Sequence, residues 1–438
     1  MTPRRLGMIA ALCVACGDEP SGTGSSESSG SSSSGEESSS SSTTVVMTTM
    51  PPTTTMTTAV DSESSTGEPP CTDPFTQGEF DRYAKYQQEE GAATFFTDIA
   101  VIDGDRYLVG ASAPFPDEPL AATLFIIGQF EIMPTLFNAP QEDAIVDRLW
   151  VDAAQIQSRV FTQNAAGAVE IYNPGDFFNV TGTYQELEAA TRLVDVVEQG
   201  GVMWAVGSVE GLAGEEWLLA RSDDLGATWM MQESFALADG EDAEAHAVAY
   251  HPGADAVVIT GIASDVGAVQ NWHTRVAVAA DATESEAIDT VANGNATAVE
   301  VLGEAVVVAG DVDGLWRVRM APSIGAPFED LDDGTAFDAV KSQVVDLAQG
   351  PDGQLFALGT VTDDDQQTLL TLRMCSDISL GAACWTTLVE PLQVFVGENH
   401  FPRRLLIDEL GVWMVGMTNN TTDELGPEGF VFRFACPS

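Results

Sequence analysis

The chain of 438 residues carries 67 Asp and Glu against 17 Lys and Arg, a formal net charge of −50 with a pI near 4.1. So acidic a surface repels polyanions, which excludes nucleic acid as a partner, and it keeps molecules apart in solution. The histidines, His246, His251, His273 and His400, have neither i, i+4 spacing nor paired cysteines beside them, so a zinc site is not expected.

In chain order, Arg4 and Arg5 precede an apolar run, Leu6 to Ala15, which is too short to span a bilayer but suits a secretory signal. The run ends in Cys13-Val14-Ala15-Cys16. Small residues before a cysteine resemble the bacterial lipobox, although Cys13 stands where that family has Leu. The resemblance implies that residues 1–16 are a lipoprotein signal peptide, that Cys16 is lipidated, and that the mature protein meets its membrane through the lipid anchor. The implied address is the bacterial cell envelope, at the outer membrane or the cell surface. Residues 17–70 are dominated by Ser, Thr, Gly, Glu and Pro, with no aromatic residue, Lys or Arg. Such a stretch cannot bury a core and reads as a disordered linker with a root-mean-square span of roughly 40 Å.

From Cys71 the composition changes to alternating Val, Ala, Leu, Phe and Trp broken by Gly/Asp turns, with no sustained helical period. This is an all-β pattern. Apolar runs ending in glycine recur at Gly110, Gly207, Gly261, Gly310, Gly359 and Gly416, and RVFTQ, ending at Gln163, fills the wide first interval without a glycine. Each unit holds a small-residue strand (DIAVI, DVVE, AVAY, AVEV, DLAQ, LLID), a tight turn, the marker strand, and a third strand. A period of about 50 residues with about four strands is the signature of a propeller blade. The expectation is a monomeric, seven-bladed β-propeller over residues 71–438.

Ser222 to Trp229 read S-D-D-L-G-A-T-W and match S-x-D-x-G-x-T-W. Asp224 can accept backbone N–H bonds inside a tight turn, Gly226 supplies a backbone angle that other residues resist, Thr228 re-enters a strand and Trp229 folds under as an apolar peg. The match resembles the BNR/Asp-box repeat of β-propellers such as sialidases. The resemblance implies a structural role for Ser222, Asp224, Gly226, Thr228 and Trp229. Weaker turns at Ser323 to Phe328 and Ser376 to Trp385 occupy the same place in their units.

Once Cys13 and Cys16 leave with or head the mature chain, Cys71, Cys375, Cys384 and Cys436 remain, an even set that an exported chain should oxidise. Cys375 ends one third strand and Cys384 begins the fourth; Cys436 ends the last third strand, where the chain stops. The missing fourth strand must come from elsewhere, and Phe75 to Gln87 can supply it. Four cysteines allow three pairings, and the equivalence of positions selects Cys375–Cys384 with Cys71–Cys436. An N-terminal strand then closes the last blade.

Loops before the first strands converge on the channel mouth of a propeller. There the sequence places Arg148, Arg192, His246, Arg403 and Arg404, a candidate anion site; Arg148, Arg192 and His246 each lie 15 residues before Gln163, Gly207 and Gly261. Sialidases use an arginine triad in this region, but no Arg-Ile-Pro segment and no tyrosine–glutamate pair can be assigned here, so no catalytic residue is named. The acidic stretches lack a full calcium-loop pattern, and no nucleotide-cradling or nucleophile-elbow motif is present. No metal or cofactor is expected. The sequence therefore reads as an envelope propeller that binds a glycan or protein ligand without catalysis; the alternative is a sialidase-like glycoside hydrolase or lyase acting on acidic glycans.

Overall fold

A computed structural model describes residues 79–86 and, apart from several interstrand stretches, 92–435. The expected signal peptide, the linker, the lipidation at Cys16 and the Cys71–Cys436 bridge lie outside the described residues. Within them the protein is all-β. Six four-stranded sheets are built from consecutive strands, beginning with Thr94–Ile102, Ile145–Val151, Thr191–Gln199, Ala243–His251, Gly294–Leu302 and Lys341–Gln349. We number these sheets one to six.

The remaining sheet is composite. Glu398–Asp408, Gly411–Asn420 and Glu428–Ala435 follow one another, and Glu79–Tyr86 pairs antiparallel outside them, from Glu79 opposite Ala435 to Tyr86 opposite Gly429. The expectation of seven blades is corrected to six that are complete in consecutive chain, with a further four-stranded sheet shared between distant segments. Its N-terminal strand lies within the predicted stretch Phe75 to Gln87. The first strands pack against one another in ring order, and the strands of the composite sheet pack back onto Thr94–Ile102, so the arrangement is a β-propeller.

Second strands have sheet neighbours on both faces, which is why they read as unbroken apolar runs. Ala305–Val312 is buried from Ala305 to Gly310, whereas the adjoining first strand Gly294–Leu302 alternates between buried and half-buried positions. All seven first strands carry a β-bulge at the same step. The pairing register skips Thr97, Asp147, Val194, His246, Thr297, Val345 and Arg403.

The bulge explains the recurring glycine. Gly310 lies opposite Ala296, the residue just before the bulge, and a Cβ there would come within 1.9 Å of the Asn295 carbonyl oxygen. Gly207 is in the same position, 1.7 Å from the Arg192 carbonyl oxygen. In sheet two the residue opposite is Thr162, not the Gln163 that the aligned repeat picks out.

Candidate functional site

The residue after each bulge occupies one repeated position of the first strand: Asp98, Arg148, Asp195, Ala247, Ala298, Asp346 and Arg404 in ring order. The three aspartates act alike. Asp98 accepts from the backbone N–H of Leu149 at 2.8 Å, Asp195 from that of Val248 at 3.0 Å, and Asp346 from that of Leu405 at 2.7 Å, each on the next sheet. Arginine follows two of them. Arg148 pairs with Asp98 at 3.0 Å and with Asp195 at 3.1 Å; Arg404 pairs with Asp346 at 3.2 Å. Arg404 also crosses the channel, donating to the Val194 carbonyl at 3.2 Å and to Asp195 at 3.4 Å.

Sheets four and five have alanine at this position, so neither contributes a charged arm from it. A cavity of 330 Å³ adjoins them. Its charged lining is Arg148, Asp195, Glu300, Asp346 and Arg404, and its other walls come from first-strand residues such as Ala249, Tyr250 and Val299. Burial, reinforced by the charges of Asp346 and Asp195, pushes the Glu300 carboxyl up to about 8; the Val301 backbone amide and the more distant Arg148 only partly oppose this. Asp346 is also raised, by burial against the pull of Arg404.

A second cluster forms where sheets three to five meet before their bulges. Arg192 and Glu244 hold equivalent places on adjacent sheets and pair at 2.7 Å. His246, the bulged residue itself, lies with Nδ1 2.7 Å from the Ala296 carbonyl oxygen and Nε2 3.6 Å from Glu244. Burial works against protonation of His246, but the Glu244 carboxylate outweighs it and the pKa is raised. Glu244 is burdened by the same burial, yet His246 and Arg192 hold it down at about 2. Asp311, on the next sheet and close enough to feel His246, is pushed up to about 6 by burial against hydrogen bonds from Gly314 and Asn295.

The five residues of the expected anion site are therefore split. Arg148 and Arg404 meet around Asp195 in the channel; Arg192 and His246 meet around Glu244; Arg403 is the bulged residue of the composite sheet. Equal spacing to the marker does not put Arg148, Arg192 and His246 at one level, because the sheet three hairpin is shorter than those of sheets two and four and Gln163 lies one residue beyond Thr162, the true counterpart of the glycines. Arg148 follows its bulge, Arg192 precedes it and His246 forms it. Asp98, Asp346 and Glu300 were not singled out from sequence. A signal for the aspartates existed, since Asp98, Asp195 and Asp346 head the aligned strings DIAVI, DVVE and DLAQ. Among the described residues, no group of three or more His, Cys, Asp or Glu side chains is placed to hold a metal.

The Ser222 to Trp229 turn joins the third and fourth strands of sheet three. Ser222 Oγ accepts from Gly226 N at 2.8 Å, and Asp224 accepts from Thr228 N at 2.7 Å and Thr228 Oγ1 at 2.6 Å. Leu225 and Gly226 both have positive φ. Trp229 is buried edge-on against Phe161 of sheet two, ring centroids 5.9 Å apart, with its Nε1 donating to the Gly226 carbonyl at 3.2 Å. In sheet six, Cys375 and Cys384 are joined by a disulfide across the turn after the third strand.

No protein-family model matches the chain, and no curated protein matches it. Among solved structures, a protein of unknown function from Dyadobacter fermentans is 13% identical with a TM-score of 0.47, over 82% of this chain and 100% of that one. The periplasmic gluconolactonase of Pseudomonas aeruginosa is 12% identical with a TM-score of 0.45, over 79% and 98% respectively. The Trypanosoma rangeli sialidase, in complex with sialic acid, is 11% identical with a TM-score of 0.40, over 77% of this chain and 53% of that one. Likenesses of this size bear on neither substrate nor mechanism.

Proposed function

We propose that the chain is a lipid-anchored β-propeller of the bacterial cell envelope that binds a ligand or partner at its central channel and does no chemistry. One observation carries this reading: Arg148, Arg192 and Arg404 are each already committed to carboxylates of neighbouring sheets. Guanidinium groups so neutralised are poorly placed to capture an acidic sugar and stabilise its transition state. A glycan array and a turnover screen with sialosides and uronic-acid glycans, both on the full chain, test it. Binding of a glycan other than these acidic ones, without turnover, is expected; any specific turnover would overturn it. The anchor is tested at the mature N-terminus by mass spectrometry, where acyl chains on Cys16 are expected and an unmodified N-terminus beyond Cys16 is the contrary result.

The rival reading, a glycoside hydrolase or lyase acting on acidic glycans, draws on a different feature. Asp311, pushed up to about 6, and His246, raised above its ordinary value, are titratable groups within electrostatic reach of each other. General acid–base catalysis needs such a pair. The same turnover screen decides between the readings, with Asp311→Asn as the variant that should silence a hydrolase.

A further inference from the structure

The channel cavity is chemically one-sided. Its lining holds three carboxyl groups, Asp195, Glu300 and Asp346, against two cations, Arg148 and Arg404, and Arg148 is also paired with Asp98. The aspartates are occupied by backbone amides and by the arginines, and the arginines by the aspartates. Glu300 differs. Among the described residues no side chain pairs with its carboxyl, which takes only the Val301 backbone amide. It lines the cavity together with Ala247 and with Tyr250, whose ring is stacked on Trp204 at 5.5 Å. A volume of 330 Å³ lies in the roughly 300–1,000 Å³ range of small-ligand sites, where a few convergent polar groups orient an otherwise apolar occupant.

We infer that this cavity is a binding site for a small organic cation, an alkylammonium or guanidinium group, with Glu300 receiving the charge. The inference rests on the reading of the chain as a non-catalytic binder and names its ligand class. An anion finds no uncommitted guanidinium there, and a cation balances the charge that Glu300 acquires when it ionises.

Binding is coupled to a proton. Glu300 faces Asp195 and Arg148 from sheets three and two, Asp346 from sheet six, Arg404 from the composite sheet and Tyr250 from sheet four. With its carboxyl pushed up to about 8, Glu300 is mostly protonated at pH 7 and must ionise to hold a cation. Cation binding at pH 7 therefore releases a proton, and affinity rises as pH is raised from 6 to 8.

Isothermal titration calorimetry of the full chain tests this, with cyclohexylammonium and n-butylguanidinium as probes and cyclohexanol and cyclohexanecarboxylate as controls. Either cation should bind at least about tenfold tighter at pH 8 than at pH 6, with proton release at pH 7. Glu300→Gln should weaken it at least about tenfold at pH 8 and flatten the pH profile. Ala247→Arg is the second variant. It restores an arm after Asp195, as Arg148 follows Asp98, and should fold while abolishing cation binding. No binding of either cation, binding indifferent to Glu300→Gln, or a preference for cyclohexanecarboxylate overturns the inference. None of these results touches the binder reading, which stands or falls on the glycan array and the turnover screen.

Discussion

At Glu300 the fold works against ionisation, and the sign of the consequence follows from where its pKa lies. The carboxyl ordinarily titrates near 4.5 and is pushed up to about 8 in the folded chain, so the folded state holds its proton more tightly than the unfolded one. The resulting stabilisation is complete below pH 4.5 and is lost as pH rises through 8. Glutamine has nearly the shape of the protonated acid and cannot ionise. Glu300→Gln should therefore change little at pH 5 and stabilise the protein on the order of 3 kcal/mol at pH 8.5, read from urea unfolding at both values. An equal difference at the two pH values would mean that Glu300 ionises freely in the fold. Glu244 runs the other way: held down at about 2, it contributes stability above 4.5 that disappears as pH falls through 2. The two carboxyls together confine best stability to mildly acidic conditions.

Within each sheet the decisive device is the bulge of the first strand with the glycine opposite it. Gly310→Ala drives a Cβ to 1.9 Å from the Asn295 carbonyl oxygen, which backbone must move to relieve. Gly303→Ala meets nothing within 4 Å and has only its positive φ to contend with. The first substitution should cost at least about 3 kcal/mol and the second about 1 kcal/mol, measured by chemical denaturation; equal costs would remove the bulge as the reason for the repeat. The glycine column was legible in the sequence, and with it the strands and their order. Its cause was not, because a bulge is a property of pairing and not of spacing. For the same reason Arg148, Arg192 and His246, equally spaced from their markers, come to rest after, before and at the bulge. The charge ring was hidden differently. Asp98, Asp195 and Asp346 share a column with Arg404, but Arg404 reaches Asp195 across 209 residues of sequence and the width of the channel. Glu300 is one of 67 acidic residues, and its surroundings come from other sheets.

For the whole molecule, closure depends on a seam with no covalent continuity among the described residues. The composite sheet meets sheet one through Phe96, Phe125, Trp413, Val415 and Val431, a single buried cluster joined by Tyr86 of the N-terminal strand. Tyr86 stacks edge-on against Phe125 at 5.2 Å, and Arg106 of sheet one lies over the Trp413 ring at 4.6 Å while pairing with Asp408. Lys85 binds both Glu398, at 2.8 Å, and Glu428, so the outer strand is tied to the first and third strands of the composite sheet. Without Glu79–Tyr86, Glu428–Ala435 becomes an unpaired edge, Tyr86 leaves the seam, and both glutamates lose their lysine. A truncation removing residues 1–86 should cost at least about 4 kcal/mol, a large part of the roughly 5–15 kcal/mol that holds an ordinary domain together. A truncation removing residues 1–70 leaves every one of these contacts in place and should be neutral. Thermal unfolding of the two truncations against the full chain separates them: coincident melting of all three would make the N-terminal strand dispensable, and with it the account of how the ring is closed.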